Sequence, residues 1–319
     1  GGGWYLEEYG YAQVTMNLHN LKVTGLHTAF EAVRDEAAKL GLRVTGSELI
    51  GMAPMQAFTD AGEFYLQKQG THIGVSNKEK IHTAILSLGL NDTSTFDPQE
   101  RIIEYAIQER ENLLVDKTVQ EFVEELSSDS PAPGGGSVSA LSGALSAALS
   151  TMVANLTYGN KDYKRHDKQM AEIAVRAQKL QSEYLALIDA DSDSFNQYMS
   201  AMRLPKKTDE DKAARTAAMQ EAAKRMTNVP LKTLTLTADL LECAELVIKR
   251  GNSNAASDAG VAALQAEAAA TGAYFNVIIN LPSINDENFE AKVKKEADAA
   301  LEHAQKNSRR LVKQVQKKL

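Results

Sequence analysis

The sequence is poor in the residues that build covalent or metal-centred sites. Its 319 residues include one cysteine, Cys243, which excludes an intramolecular disulfide and a thiolate metal cage within one chain. That usage fits a reducing cytoplasm. The histidines, His19, His27, His72, His82, His166 and His303, show no zinc-ligand spacing, so no metal site is expected, and no Ser-His-Asp arrangement can be inferred. A Lys/Arg excess is also lacking. The net charge of −7 argues against a nucleic-acid footprint, although an anion could still bind locally. No glycine-rich run leads into the Lys-Ser/Thr pair of a P-loop, which disfavours a nucleotide triphosphate. No secretory leader pattern is seen at the beginning. Residues 134–160 carry no charge, but they are Ser, Gly, Ala, Thr and Asn more than Leu, Ile and Phe. Transfer into lipid is weakly driven for such a run, and a buried bundle helix is the reading rather than a membrane span.

What is present suits an ordinary globular protein, with 43% hydrophobic and 24% charged residues, long enough for two domains with separate cores. Over residues 1–109 the apolar period switches between two and three to four, the signature of strands alternating with helices. Ala12, Val14, Met16 and Leu18 mark a strand. Leu26, Phe30, Val33, Ala37 and Leu40 mark a helix face that ends at Gly41, and a second strand is expected over residues 42–52. Helices are expected after Pro54 with Met55, Phe58 and Phe64 inward, over residues 81–88, and from Asp97-Pro98 through Gln108. The fold class expected here is α+β with ferredoxin-like βαβ elements.

Residues 110–117 read as a charged linker, and 118–319 as an all-α, up-and-down helical bundle, because no period-two run appears after it. Helix breaks are expected at Tyr158-Gly159, Leu204-Pro205, Val229-Pro230, residues 251–254 and Leu281-Pro282. Ser139, Gly143, Ala147, Thr151 and Asn155, four apart, form a ridge of small side chains that serves either tight packing or room for a flat ligand.

Four features are candidates for chemistry. In Pro131-Ala132-Pro133-Gly134-Gly135-Gly136-Ser137, glycines expose bare amides at a helix start, which attracts anions and polar ring edges; a flexible linker capped by Ser137 reads as well. Asp189, Asp191 and Asp193 stand at alternate positions in one helix, so they point to different faces. An acid held in a partly buried cleft would shuttle protons near neutrality, while most such acids are solvated. A polar turn around Asn254 and Asp258 enters a helix carrying Asn276 and Asn280 one turn apart, where paired amides can read a heterocycle edge or simply bond backbone. Arg203 and Lys206 suit a helix C-terminus and also a carboxylate tail. The basic residues Arg309, Arg310, Lys313, Lys317 and Lys318 read as a solvated face.

In order, the Pro-Ala-Pro-Gly-Gly-Gly-Ser segment, the Asp-Ala-Asp-Ser-Asp-Ser-Phe helix running to Arg-Leu-Pro-Lys, Ser-Asp-Ala-Gly-Val-Ala-Ala at 257–263 and Ala-Tyr-Phe-Asn-Val-Ile-Ile-Asn-Leu at 273–281 resemble the formiminotetrahydrofolate cyclodeaminase family. Residues 1–109 are similar to the C-terminal subdomain of glutamate formiminotransferase, so the chain resembles the back portion of the bifunctional formiminotransferase-cyclodeaminase. The resemblance implies closure of 5-formiminotetrahydrofolate to 5,10-methenyltetrahydrofolate with loss of ammonia, a step linking histidine degradation to the one-carbon pool. Asp191 is then the catalytic acid/base. Gly134, Gly135, Gly136, Ser137, Arg203, Lys206, Asn254, Asp258, Asn276 and Asn280 are candidates for holding the folate, with no metal or nucleotide. It further implies a cytoplasmic homo-oligomer, a dimer or a ring of dimers, with a folate substrate that can be polyglutamylated and with neither nucleic acid nor membrane as partner. The transferase's first subdomain is expected to have no counterpart, leaving formimino transfer incomplete. Two other readings stay open, a methenyltetrahydrofolate cyclohydrolase and a non-catalytic folate-binding or assembly module.

Overall fold

A computed structural model describes residues 1–7, 10–107 and 113–319. The chain divides into two units, Gly1–Glu111 and Asn112–Leu319. In the first, β1 (Gly2–Leu6) pairs antiparallel with β2 (Tyr11–Thr15), Trp4 opposite Gln13. Then come α1 (Leu26–Lys39), α2 (Met55–Lys68) and α3 (Asn77–Leu88). Gly41 turns the chain out of α1 at φ 69°, a left-handed conformation that glycine adopts cheaply. Leu40, expected on the inward face of α1, is 76% exposed. Phe58 of α2 and Ile81 and Leu88 of α3 are buried with Phe96 and Ile102 in a small core.

Two expectations fail in this unit. Residues 42–52 form no strand: Leu42, Ile50 and Met52 are exposed, and the nearest pairing is a single parallel bridge from Ala53 to Ile102. Among the described residues the only sheet is the β1–β2 hairpin, so a ferredoxin-like sheet is not formed. The helix expected from Asp97-Pro98 is split into α4 (Pro98–Arg101) and α5 (Ile103–Ile107). The split has a visible cause. Ile102 is fully buried and extended, with Ala53 N–H donating to the Arg101 carbonyl and Ile103 N–H to the Ala53 carbonyl, both at 3.0 Å. Gln108, and the expected domain boundary from residue 109 to 112, lie outside the described residues.

The second unit contains α6 (Val119–Leu126), α7 (Gly135–Thr157), α8 (Asp167–Met202), α9 (Asp209–Thr235), α10 (Thr237–Arg250), α11 (Ala256–Asn280) and α12 (Glu287–Gln316). Thr118 and Glu121 cap α6 reciprocally, as a Thr-x-x-Glu start should. Residues 114–116, expected in a linker, form a 3-10 turn belonging to this unit, with Leu114 buried and its N–H donating to Asp189 Oδ1 at 2.6 Å. Helix α7 is long and apolar enough to cross a membrane by length and composition, yet most of it is buried among its neighbours.

Small residues on α7 let the bundle close. A Cβ on Gly143 would collide with the Tyr184 ring of α8, and the Tyr184 hydroxyl donates to the Thr233 carbonyl of α9 at 2.8 Å. One buried side chain thus ties three helices. At this point the small-residue ridge serves packing.

The break expected at Val229-Pro230 does not occur; α9 runs through Pro230 and ends at Thr235. Proline supplies no N–H, so the Met226 carbonyl, four residues earlier, loses its helical donor. Asn280 Nδ2 donates to that carbonyl at 2.9 Å, replacing the missing bond. Asn280→Ala should therefore destabilise the protein by about 0.5–1.5 kcal/mol, the usual net worth of a hydrogen bond, here to a half-buried acceptor. Pro230→Ala, which restores a donor, should shrink that loss in a double-mutant cycle read by denaturant unfolding. Equal losses in both backgrounds would refute the assignment.

Candidate active site

The glycine-rich segment enters α7 with Gly134 as N-cap in an extended conformation, so the amides of the first turn have no partner within the helix and point outward. Asp191 of α8 fills the space above them. A Cβ on Gly136 would collide with its Cγ and both carboxylate oxygens, and only glycine lets the acid sit this close. Ser137 is fully buried. Its hydroxyl donates to the Ile188 carbonyl at 2.8 Å and lies 3.4 Å from Asp191 Oδ2 and 3.2 Å from Ser192 Oγ. Burial raises the Asp191 carboxyl above the ordinary aspartate value, and hydrogen bonds from the Ser137 hydroxyl and amide oppose that rise. The net upward shift suits a group that takes and returns a proton.

Asn276 of α11 closes the other side. Its Nδ2 would stand 3.2 Å from a Cβ on Gly135 and donates to the Gly272 carbonyl at 2.8 Å. Among the described residues nothing donates to its Oδ1, which leaves an acceptor 3.8 Å from the place of a Cβ on Gly135. Gly134, Gly135, Gly136, Ser137, Asp191 and Asn276 thus form one constellation.

The remaining candidates lie elsewhere in this chain. Asn280 is spent on the Met226 carbonyl. Asn252 N–H donates to Thr157 Oγ1 at 2.8 Å, which places the turn holding Asn254 beside the C-terminal end of α7. With 23 residues in α7, Asn254 and Asp258 stand about 30 Å from the glycine end. Asn254 is exposed, and its N–H is bound by Asn252. Arg203 follows the last residue of α8 and Lys206 the turn after it, both exposed, about 18 Å or more beyond Asp191 along the helix. Of the neighbouring acids, Asp193 is exposed and Asp189 holds the amides of Leu114 and Val115.

Sequence reasoning missed the roles of Asp189 and Ser192. The only signal for Ser192 was its place in the acidic motif, and Asp189 bonds residues 74 and more positions away.

A family model described as Formiminotransferase-cyclodeaminase matches residues 118–299. The chain belongs to the formiminotransferase-cyclodeaminase family. A second model, Formiminotransferase domain, matches residues 1–108, so the expected transferase likeness of residues 1–109 is found, and the expectation that the transferase's first subdomain has no counterpart is not borne out. The chain is 40% identical over 304 residues to the formimidoyltransferase-cyclodeaminase of Sus scrofa, with 95% of this chain and 56% of that protein covered. It therefore spans little more than half the length of that relative. Over 203 residues it is 38% identical to a methenyltetrahydrofolate cyclohydrolase of Methylorubrum extorquens, covering 64% of this chain and 98% of that protein. The crystal structure of a formiminotetrahydrofolate cyclodeaminase from Thermotoga maritima superposes with a TM-score of 0.56 at 28% identity, covering 63% of this chain and 96% of that one.

The Ser137 contact makes a pH prediction. Ser137→Ala removes a hydroxyl that favours the carboxylate form of Asp191, so the acidic limb of the pH–rate profile should move to higher pH. A limb that stays in place would show that the Ser137 hydrogen bond does not set the titration of Asp191 in turnover.

Proposed function

We propose that the helical unit closes the ring of 5-formiminotetrahydrofolate, forming 5,10-methenyltetrahydrofolate and ammonia, with Asp191 as the acid/base. The observation that carries this reading is the Asp191 carboxylate lying on Gly136 at the amide-rich start of α7, with its proton affinity raised by burial. Membership of the family and the likeness to the Thermotoga cyclodeaminase support it.

The chemistry asks for one group with two proton states. The formimino group reacts as its amidinium cation: N10 attacks its carbon on N5, the C=N bond opens to leave an amino group, and the new C–N bond gives a tetrahedral centre. Asp191 takes the N10 proton and returns it to the exocyclic nitrogen, whose bond to carbon then breaks to release ammonia. As an anion afterwards, the same carboxylate faces the cationic methenyl product. The amides of residues 134–137 and Asn276 Oδ1 are suited to hold the pterin edge and fix the attack geometry.

A second reading, hydrolysis of the methenyl ring, is favoured by the likeness of this helical unit to the Methylorubrum cyclohydrolase. There the same carboxylate would deprotonate water. Incubation with 5-formiminotetrahydrofolate, following ammonia and the methenyl absorbance together, separates the two. Ammonia release above the uncatalysed rate supports the deaminase; its absence, with consumption of 5,10-methenyltetrahydrofolate supplied in a parallel incubation, supports the hydrolase. Assembly as a homo-oligomer belongs to the same proposal. Helices α7 and α11 leave Leu145, Leu156, Val261, Leu264, Phe275 and Ile279 exposed, apolar stripes that a second copy would cover.

Asp191→Asn should lower kcat by about 10² to 10⁴, the usual worth of positioned general catalysis. It should also stabilise the fold at neutral pH. Because the folded carboxyl is raised above its unfolded value, ionising it costs stability as pH rises through the folded value, and no such cost exists below the unfolded one. Thermal unfolding at acid and neutral pH reads this directly: the variant's advantage should appear only at the higher pH.

A further inference from the structure

A groove of about 440 Å³ runs along the seam of α8 and α9, lined by Leu187, Glu221, Lys224, Arg225, Asn228, Val229 and Lys232, three cations against one acid. Its composition is divided. Leu187, buried, and Val229, half-buried, make an apolar floor, while Arg225 and Lys232 are exposed above them. Lys224 is committed, donating to Asp286 at 2.6 Å and lying over the Phe289 ring. Arg225 has no hydrogen-bond or ion-pair partner among the described residues, and Lys232 is 3.9 Å from Glu183 at its closest. An apolar strip flanked by the unpartnered Arg225 and by Lys232, loosely paired with Glu183, matches a flat ring bearing carboxylates.

The groove also borders the acid. Leu187 precedes Asp191 by one turn of α8, about 6 Å. Arg225 precedes Met226, whose carbonyl is bound by Asn280, one turn from Asn276 at the glycine end of α7. A second basic groove, on α12, serves as contrast. It is lined by Lys306, Arg309, Arg310, Lys313, Gln314 and Lys317, has no apolar floor, and its Arg310 is already clasped by Glu245 through two hydrogen bonds. It also lies toward the far end of the bundle, where Val315 packs on Gly260 near the start of α11.

We infer that the α8–α9 seam is the subsite for the benzoylglutamate end of the substrate, with Arg225 and Lys232 binding its glutamyl carboxylates. This rests on the folate reading proposed above and replaces Arg203 and Lys206 as the tail's partners. In a folate, N10 is joined to the benzoyl ring, so a pterin held at residues 134–137 with N10 at Asp191 sends the ring and carboxylates into a neighbouring groove. Leu187 and Val229 take the ring. The cations then face the tail.

The test uses the full chain and p-aminobenzoyl-triglutamate, which carries ring and tail but cannot react. In calorimetric titration, wild type binds it, and the double variant Arg225→Gln/Lys232→Gln weakens binding by about tenfold or more, about one decade for the charges removed. Arg309→Gln, in the contrasting groove, stays within about twofold of wild type. With the polyglutamyl substrate, the double variant raises KM by a similar factor while kcat stays within about twofold, the pattern of lost uniform binding. Binding of the tail unchanged in the double variant overturns the inference even where ammonia release is robust. Groove-dependent binding without ammonia release upholds the subsite and overturns the deaminase reading.

Discussion

The contact on which the helical unit depends is the close approach of α7 to α8 at two glycines. Gly136 lies against Asp191 and Gly143 against Tyr184, and both pairs are seven residues apart on their helices. Seven residues return a helix to nearly the same face, so the two contacts lie on one seam. A side chain at either glycine would push the helices apart. At Gly143 the space is taken by a ring whose hydroxyl reaches α9, and at Gly136 by a carboxylate. The device that packs the bundle also delivers the acid.

That delivery sets the electrostatics. The first-turn amides and the positive end of the α7 dipole favour an anion, and Ser137 donates toward the carboxylate. Removal from water acts the other way and is the larger effect, so the carboxyl is raised. An acid left in solvent would be held as a spent anion at neutral pH, and one buried without donors would hold its proton too firmly. The net effect is a raised proton affinity whose rise the Ser137 donors limit.

Much of this could be read from the residues. Apolar periodicity and caps placed α1 to α3, and the glycine motif and acidic helix contained the acid and its seat. Other features depended on tertiary partners. Pro230 signalled a break because its own helix cannot satisfy Met226; the donor comes from Asn280, 54 residues away in sequence. Residues 42–52 have strand-like apolar content, but they find only the Ala53–Ile102 bridge. Asn254, Asp258, Asn276 and Asn280 looked like one polar set, yet α11 runs 25 residues from Ala256 to Asn280, which carries its two ends to opposite ends of the bundle. Asn276 and Asn280, one turn apart and of the same residue type, then divide: one faces the glycine end of α7 and the other repairs a neighbouring helix.

The acidic character of the chain adds a last constraint. A net charge of −7 repels a multiply anionic ligand at long range, although salt confines that repulsion to about 8–10 Å. Affinity for such a ligand must therefore come from local cations at short distance, and those close to the acid are worth more than those far from it. Arg225 and Lys232 sit on the helix that Asn280 ties to the Asp191 end of the bundle, whereas the α12 cations do not. Binding energy gained on the unreactive end of a substrate, felt alike in ground and transition states, lowers the concentration needed for turnover without changing the chemical step. Here N10 would be held between a tail fixed at α9 and a pterin fixed at α7. Asp191, on the helix between them, is where a proton must be taken and returned.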